Sequence, residues 1–196
     1  MTKADRTRQF IIEKTAPLFN TKGYEGTSLS DLMHATGLTK GSLYGNFKDK
    51  EDISMEAFRY SIRKIKELAR TELSGFTSYK KQLEALLDFY ARYVFDPPVK
   101  GGCPLLNTAV EADDYHTSMR KVVAKEIMDT VDFIASLLKK GVTAGEFKSG
   151  IKTRDLAYTF FCSIEGAIIF ARVEQSREPM DIIVRHCKNI LEQISK

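Results

Sequence analysis

Apolar residues recur every three to four positions along most of this 196-residue chain, and strict alternation of apolar and polar residues is almost absent. This spacing predicts α-helices with one apolar face and does not favour β-strands. Capping and helix-breaking residues divide the pattern into nine segments. The predicted helices span about 5–22, 28–36, 39–47, 49–73, 79–95, 104–113, 118–140, 154–173 and 180–195. The predicted fold class is therefore all-α.

The stretch ATGLTKGSLYGNFKDKED, residues 35–52, contains two glycines four positions apart in the third predicted helix. Each glycine costs roughly 1 kcal/mol relative to alanine in a helix interior. Thr27 or Ser28 caps the second helix, Gly37 ends it and Thr39 caps the third, so the two short helices are joined by a tight turn. This arrangement is a helix-turn-helix, which places its second helix in the major groove of DNA.

Leu32, Leu38 and Leu43 are expected to form the small core of this motif, with Leu43 and Phe47 pointing inward. The residues left on the outside or the flanks of the third helix are Lys40, Gly41, Ser42, Tyr44, Gly45 and Asn46. The two glycines would allow the backbone to approach phosphates or base edges closely. The alternative interpretation is that they only make a loose turn.

The segment TSLSDLMHATGLTKGSLYGNFKDKEDI, with APLFNTKGYEG before it, resembles the DNA-binding domain of the TetR family of bacterial transcription regulators. The resemblance is strong over roughly residues 5–52. It implies a helix-turn-helix DNA-binding domain over 1–50, a connecting helix over about 50–73, and a helical effector-binding and dimerisation domain over 51–196. It further implies a dimer that binds a palindromic DNA operator, most often as a repressor, and is released by a small-molecule effector.

The resemblance also implies roles for single residues. Thr27 matches a helix cap that contacts a phosphate, Lys50 matches a phosphate clamp, and Asn46 stands where the family commonly has histidine. The expected DNA-binding residues are Thr27, Ser28, Thr39, Lys40, Gly41, Ser42, Tyr44, Gly45, Asn46, Lys48 and Lys50.

The eighth predicted helix is apolar nearly all round, which predicts burial on every side. A dimer interface in addition to the core would supply that burial, and the alternative is that the helix is the centre of a monomer core. The expected interface residues are the small-residue stripe Ser163, Ala167 and Ala171 together with Ile183, Cys187, Ile190 and Ile194.

Polar groups in apolar surroundings orient ligands, and aromatic residues can line the same cavity. The expected ligand-binding residues are Phe89, Tyr93, Cys103, Asn107, Glu111, Phe133, Phe161 and Glu165, with Phe160 as a further aromatic candidate. For each aromatic residue, the alternative is an ordinary place in the core, and for Glu165 it is a capped or ion-paired structural role. Asp113, Asp114 and His116 suggest a metal site only weakly, because exposed acidic turns are common, and neither a metal nor a cofactor is expected.

Cys103 lies between a glycine loop and the helix predicted to start at Pro104, where a thiolate would be stabilised by the helix dipole. Some TetR-family members that sense electrophiles resemble this arrangement. A sensor acting through Cys103 is therefore one alternative function, and a DNA-binding module without a ligand is another. Cys162 and Cys187 are expected to be inert on apolar helix faces.

The formal charge is +4, and residues 1–64 contain eleven Lys and Arg against eight Asp and Glu. This surplus is compatible with nucleic-acid binding but does not establish it. Three widely spaced cysteines fit a reducing cytoplasm, and no run of eighteen apolar residues or signal peptide is apparent. No nucleophile–base constellation, phosphate-binding loop or paired-histidine motif points to an enzyme.

Overall fold

The computed structural model describes residues 2–115 and 117–196, without the side chains of Asp114 and Tyr115. These residues form nine helices and no β-strand, apart from an isolated bridge between Phe147 and Ser195. The predicted all-α class is confirmed. The helices are α1 (Lys3–Lys22), α2 (Leu29–Thr36), α3 (Lys40–Tyr44), α4 (Lys50–Leu73), α5 (Tyr79–Tyr93), α6 (Pro104–Tyr115), α7 (Thr117–Thr143), α8 (Thr153–Val173) and α9 (Glu178–Ile194). The weak metal suggestion falls on His116 and the side chain of Asp114, which lie outside the described residues.

The chain divides into two compact units. The N-terminal unit comprises Met1–Ile65 and Pro98–Val123, and the C-terminal unit comprises Lys66–Pro97 and Ala124–Lys196. The expected division near residue 50 differs from this arrangement, because α6 belongs with the helix-turn-helix and the long helices α4 and α7 each contribute to both units. Helical periodicity alone does not show which unit a helix packs in.

The core of the helix-turn-helix consists of buried side chains from α1, α3, the turn after α3, and α4, which surround Leu32 of α2. They are Ile11, Ile12, Leu32, Leu43, Phe47 and Ile53. Leu38 packs against them while remaining partly exposed. The expected inward positions of Leu32, Leu43 and Phe47 are thus confirmed.

Helix α2 begins at a capping box. The Ser28 hydroxyl accepts a hydrogen bond from the Asp31 N–H, and the Asp31 carboxylate accepts one from the Ser28 N–H. The Lys22 ammonium and these Ser28 bonds hold the pKa of Asp31 well below its usual range. Gly37 ends the helix with φ +68°, a left-handed conformation that glycine adopts without steric cost.

Helix α3 is shorter than predicted, because it ends at Tyr44 rather than near Phe47. Gly45 is the C-cap, and its N–H donates to the Gly41 carbonyl at 2.9 Å. Asn46 and Phe47 continue as a turn in which both N–H groups donate to the Leu43 carbonyl. This turn still directs Phe47 into the core.

In the C-terminal unit, α9 packs against both α5 and α8. The Glu146 carboxylate, in the connection between α7 and α8, accepts hydrogen bonds at the start of α5 from the Ser78 hydroxyl and from the N–H groups of Tyr79 and Lys80. Among the described helices, α8 has the length and apolar composition of a membrane span, which core helices of soluble proteins share.

Candidate nucleic-acid interface

The N-terminal turn of α3 is capped and exposed. The Thr39 side chain accepts a hydrogen bond from the Ser42 N–H at 3.2 Å, which fixes the start of the helix. Thr39, Lys40, Gly41, Tyr44 and Gly45 are exposed, and Ser42 is partly exposed. A methyl group added at Gly41 would meet no atom within 4 Å, so this surface is open to an approaching partner.

The turn after α3 is held by Arg8 of α1, a residue that the sequence analysis did not identify. The guanidinium of Arg8 donates to the Asn46 carbonyl at 2.6 Å and lies 4.0 Å from the centre of the Phe47 ring. The Asn46 side-chain amide donates to the Ser42 carbonyl at 2.9 Å. Asn46 therefore stabilises the turn in this conformation, and this bond uses one of the two N–H groups of its amide.

Thr27 does not have the predicted position. Its side chain is fully buried, and its hydroxyl donates to the Gly23 carbonyl at 2.6 Å. Ser28, which is exposed, is the residue that caps α2. Of the two residues expected as the cap, Ser28 is therefore the one that caps α2, and the role of Thr27 implied by the resemblance is wrong, because its hydroxyl closes the preceding turn. The Ser28 hydroxyl donates to the Asp31 carboxylate at 2.8 Å.

Lys50 is partly buried rather than extended into solvent. Its ammonium donates to the carbonyl oxygens of Tyr24 and Thr27 at 2.9 and 3.0 Å. Two of its three N–H groups are thus engaged within the protein. By contrast, the neighbouring cation Lys48 is exposed.

A shallow, solvent-open groove lies beside the helix-turn-helix, at the N-terminal end of α1. It is lined by Lys3, Arg6, Thr7, Phe10 and Leu38, and Leu38 directly precedes the cap of α3. Cations near a helix N-terminus are unfavourable for the helix dipole, so helix stability does not account for Lys3 and Arg6. In the sequence, the surplus of basic residues in the N-terminal third is the feature that points to these two residues.

The expected ligand-binding residues fall in both compact units. Cys103, Asn107 and Glu111 lie in the N-terminal unit, whereas Phe89, Tyr93, Phe133, Phe161 and Glu165 lie in the C-terminal unit. In the latter group, Phe133 is 40% exposed, and the other four side chains are buried. The placement of Phe133 in an internal cavity is therefore wrong, because its face of α7 is exposed to solvent.

The cavities at these positions are small. In the C-terminal unit, a cavity of about 20 Å³ is lined by apolar side chains and Tyr90, with Phe160 and Phe161 among them. In the N-terminal unit, a cavity of about 30 Å³ lies beside Asn20 and Glu111. Each can hold about one water molecule, whereas ligand pockets usually measure roughly 300–1,000 Å³.

Asn107 and Glu111 are engaged with the protein itself. The Glu111 carboxylate accepts hydrogen bonds from the N–H groups of Tyr24 and Glu25. The Asn107 side-chain amide donates to the carbonyl oxygens of Asn20 and Gly101 and to the Asn20 side chain. These two residues link α6 to the end of α1, and their assignment to a ligand site has no support in this geometry.

The predicted dimer-interface residues point mainly into the protomer. Ala167, Ala171 and Cys187 are buried, and the other four are only partly exposed. The exposed apolar side chains of α8 and α9 are Tyr158, Ile169, Phe170, Val173 and Ile182. The three buried residues pack within the protomer, whereas Ser163, Ile183, Ile190 and Ile194 remain a prediction for the interface. Because α8 is apolar nearly all round, its sequence did not reveal which side packs on α9.

The accessibility of the cysteines also differs from the expectation. Cys103 is 5% exposed, Cys187 is fully buried, and Cys162 is exposed. The Asn107 N–H donates to the Cys103 carbonyl at 3.0 Å, which places Cys103 at the predicted cap position of α6. Burial raises the pKa of the Cys187 thiol to about 11, which keeps it protonated at neutral pH.

Comparison with known proteins identifies similarity over both units. Residues 11–57 match the family described as bacterial regulatory proteins, tetR family, and residues 80–187 match the tetracyclin repressor-like, C-terminal domain. The similarity therefore extends well beyond the helix-turn-helix.

Similar proteins include solved structures and a curated repressor. A TetR-family transcriptional regulator from Cytophaga hutchinsonii is 38% identical, with a TM-score of 0.92 over 100% of this chain and 98% of that one. A TetR transcriptional regulator from Chloroflexus aurantiacus is 34% identical, with a TM-score of 0.95 over the same shares. The HTH-type transcriptional repressor DhaR of Mycobacterium sp. (strain GP1) is 25% identical over 174 residues, which cover 89% of this chain and 86% of that one.

Proposed function

The chain belongs to the TetR family of bacterial transcription regulators, and from this premise we propose that it is a repressor that binds a palindromic operator as a dimer. In this proposal a small-molecule effector releases the operator, and the protein acts in the cytoplasm. The similarity to DhaR, which is named a repressor, supports the direction of regulation. The single observation that carries the proposal is the capped, exposed first turn of α3.

The proposed DNA contacts are divided between phosphates and bases. Thr39 and Tyr44 position the protein on phosphates, whereas Lys40, Ser42 and Asn46 read base edges. Lys3 and Arg6 extend the phosphate contacts along the groove beside α1. The complete proposed set is Lys3, Arg6, Ser28, Thr39, Lys40, Gly41, Ser42, Tyr44, Gly45, Asn46 and Lys48.

Dimer formation is supported by the exposed apolar face of α8 and α9. Val173 is 78% exposed and Phe170 is 61% exposed, with Ile169, Tyr158 and Ile182 on the same pair of helices. An apolar patch of this kind on a protein surface marks an interaction site. A twofold dimer requires one self-complementary face, and we assign that role to these residues.

Effector binding is supported by the match of residues 80–187 to the repressor-like C-terminal domain. The cavity of about 20 Å³ near Phe160 and Phe161 is too small for an effector, so binding there must displace side chains. An effector that stabilises an opened C-terminal unit releases DNA only if the operator-bound state disfavours that opening. Operator and effector must then weaken each other's binding by the same factor.

The small volume of this cavity favours a second candidate, a TetR-family regulator that binds DNA without responding to a ligand. The observation in its favour is the same small cavity. A thermal-shift screen of small apolar and electrophilic compounds, followed by titration of each hit with and without operator, separates the two candidates. Equal affinity in both titrations supports the second candidate.

Selection of DNA sequences from a random pool tests the proposal itself. The expected product is a palindrome in which two half-sites are separated by about 34–36 Å or a multiple of one helical turn. Lys40→Ala should relax the base preference within each half-site. A pool that yields no enriched sequence, or only single half-sites, would contradict the proposed dimeric operator binding.

A further inference from the structure

The loop of residues 23–27, which joins α1 to α2, is held by a carboxylate from α6. Glu111 Oε2 accepts a hydrogen bond from the Tyr24 N–H at 2.6 Å, and Glu111 Oε1 accepts one from the Glu25 N–H at 2.7 Å. The loop follows the C-terminus of α1, where the helix dipole disfavours a negative charge. The two charge-assisted hydrogen bonds offset that cost and fix the carboxylate in one place.

Gly23 makes room for this carboxylate. A Cβ at Gly23 would lie 2.9 Å from Glu111 Oε2, and its φ of +74° also disfavours other residues. Gly23 therefore allows the chain to leave α1 with a positive φ, and it also leaves space for the Glu111 carboxylate. Any larger side chain at residue 23 displaces the carboxylate.

A pair of asparagines, the buried Asn20 and the partly exposed Asn107, links the same end of α1 to the start of α6. The Asn20 side-chain amide donates to the carbonyl oxygens of Lys100 and Gly102, both at 3.0 Å. The Asn107 amide donates to the Asn20 carbonyl at 2.9 Å. A Cβ at Gly101 would lie 2.5 Å from that carbonyl, so the glycine loop before α6 is required for this close contact.

Lys50 of α4 binds carbonyl groups of the same loop. Whereas Glu111 accepts from two loop N–H groups, Lys50 donates to the loop carbonyls of Tyr24 and Thr27. Ser28, which caps α2, follows the loop directly. The position of α2, and through the turn the position of α3, is therefore set from both α4 and α6.

We infer that Glu111 is a positioning residue for operator binding, assisted by Asn20 and Asn107, and that α6 acts on the helix-turn-helix through this contact. The inference rests on the proposed function, because it assumes that α3 contacts DNA. It replaces the expectation that Glu111 and Asn107 bind an effector. Loss of the contact leaves the basic surface intact but lets the loop and α2 adopt several positions.

The test compares Glu111→Gln with Asp113→Asn, which removes an exposed carboxylate from the same helix. The operator affinity of Glu111→Gln should fall by about tenfold or more, which corresponds to the loss of one charge-assisted hydrogen bond. Affinity for random DNA and the salt dependence of binding should not change, because no phosphate contact is removed. Asp113→Asn should match the wild type.

A second readout separates positioning from general stability. The readout is the ratio between the affinity for the correct operator and the affinity for operators with one base pair added or removed between the half-sites. This ratio should be smaller for Glu111→Gln than for the wild type, at temperatures well below the melting points of both proteins. Asn107→Ala supplies an independent variant if Glu111→Gln fails to fold. Specific affinity and spacer discrimination equal to those of the wild type in a folded variant would overturn the inference. Absence of sequence-specific binding by the wild type would instead overturn the proposed function on which the inference rests.

Discussion

The ammonium nitrogen of Lys50 lies 4.1 Å from the centre of the Tyr24 ring and donates a hydrogen bond to the Tyr24 carbonyl at 2.9 Å. A cation over an aromatic ring contributes about 0.5–2 kcal/mol, depending on desolvation. The bond to the Thr27 carbonyl adds to this contribution. At the position where the family resemblance implies a phosphate clamp, the lysine thus stabilises the loop that leads into the helix-turn-helix.

Lys50→Ala should therefore lower the melting temperature and weaken operator binding, with little change in the slope of log affinity against log salt. Lys48→Ala, which removes an exposed cation two positions earlier, should reduce that slope by about 1 and leave the melting temperature unchanged. Melting curves and binding titrations at four salt concentrations provide both readouts. A reduced slope with an unchanged melting temperature for Lys50→Ala would show that the lysine is a phosphate clamp after all.

Val173→Asp should convert the proposed dimer into a monomer, because it places a charge in the exposed apolar face of α8. Val110→Asp is the matched control, since Val110 is a similarly exposed valine on α6, at 72% against 78% for Val173. Light scattering coupled to size-exclusion chromatography gives the masses. If both variants remain dimeric at micromolar concentration, the interface lies elsewhere; if both become monomeric, the effect is not specific to this face.

The cysteines should differ in their rates of alkylation. Cys187 should remain unmodified in the native protein, because it is fully buried and its pKa is raised to about 11, and Cys103 should react slowly for lack of exposure. Cys162 lies on α8 and should react quickly in a monomeric Val173→Asp variant but slowly in the wild-type dimer. Mass spectrometry after a limiting dose of N-ethylmaleimide measures the three rates. If Cys103 reacts first in the native dimer, the electrophile-sensor alternative is supported instead.

The positions of the helices could be predicted from the sequence because periodicity, caps and breakers are local signals. The capped turn around Gly37 and Thr39 and the inward positions of Leu43 and Phe47 are of this kind. The partners of Glu111 and Asn107 could not be predicted, because each contact joins residues about 87 positions apart. A polar residue on a helix has the same sequence pattern whether it faces a ligand or another loop.

The exposed side chains of α8 could not be singled out from the sequence for a related reason. When nearly every position of a helix is apolar, the sequence carries no moment that distinguishes the face packed inside the protomer from the face left open. The small residues Ala167 and Ala171 permit close packing, but in this protein they are buried within the protomer. The larger residues Phe170 and Val173 mark the outer face, and only the packing of α8 on α9 identifies them.

Glu146 should make the stability of the protein depend on pH in the acid range. Burial raises the pKa of its carboxyl group, but the hydrogen bonds from Lys80, Ser78 and Tyr79 outweigh burial, and the pKa lies below its ordinary value of 4.5. A carboxylate with a lowered folded-state pKa stabilises the fold above its unfolded pKa, and this contribution is lost as pH falls through the folded pKa. Glu146→Gln should thus lower the free energy of unfolding by about 1–3 kcal/mol at pH 7. Below pH 4.5, the free energy of unfolding should fall less steeply with pH in this variant than in the wild type.

Urea unfolding at a series of pH values between 3 and 7 measures this effect, with Glu67→Gln as the control, because Glu67 is an exposed glutamate in the same unit. The wild type and the control should lose stability in parallel as the pH falls, and the Glu146→Gln curve should approach both of them at the acid end. The convergence follows from protonation, which removes from the wild type the same charge that the substitution removes. A constant separation between Glu146→Gln and the wild type across this range would mean that Glu146 acts through its shape and packing rather than through its charge.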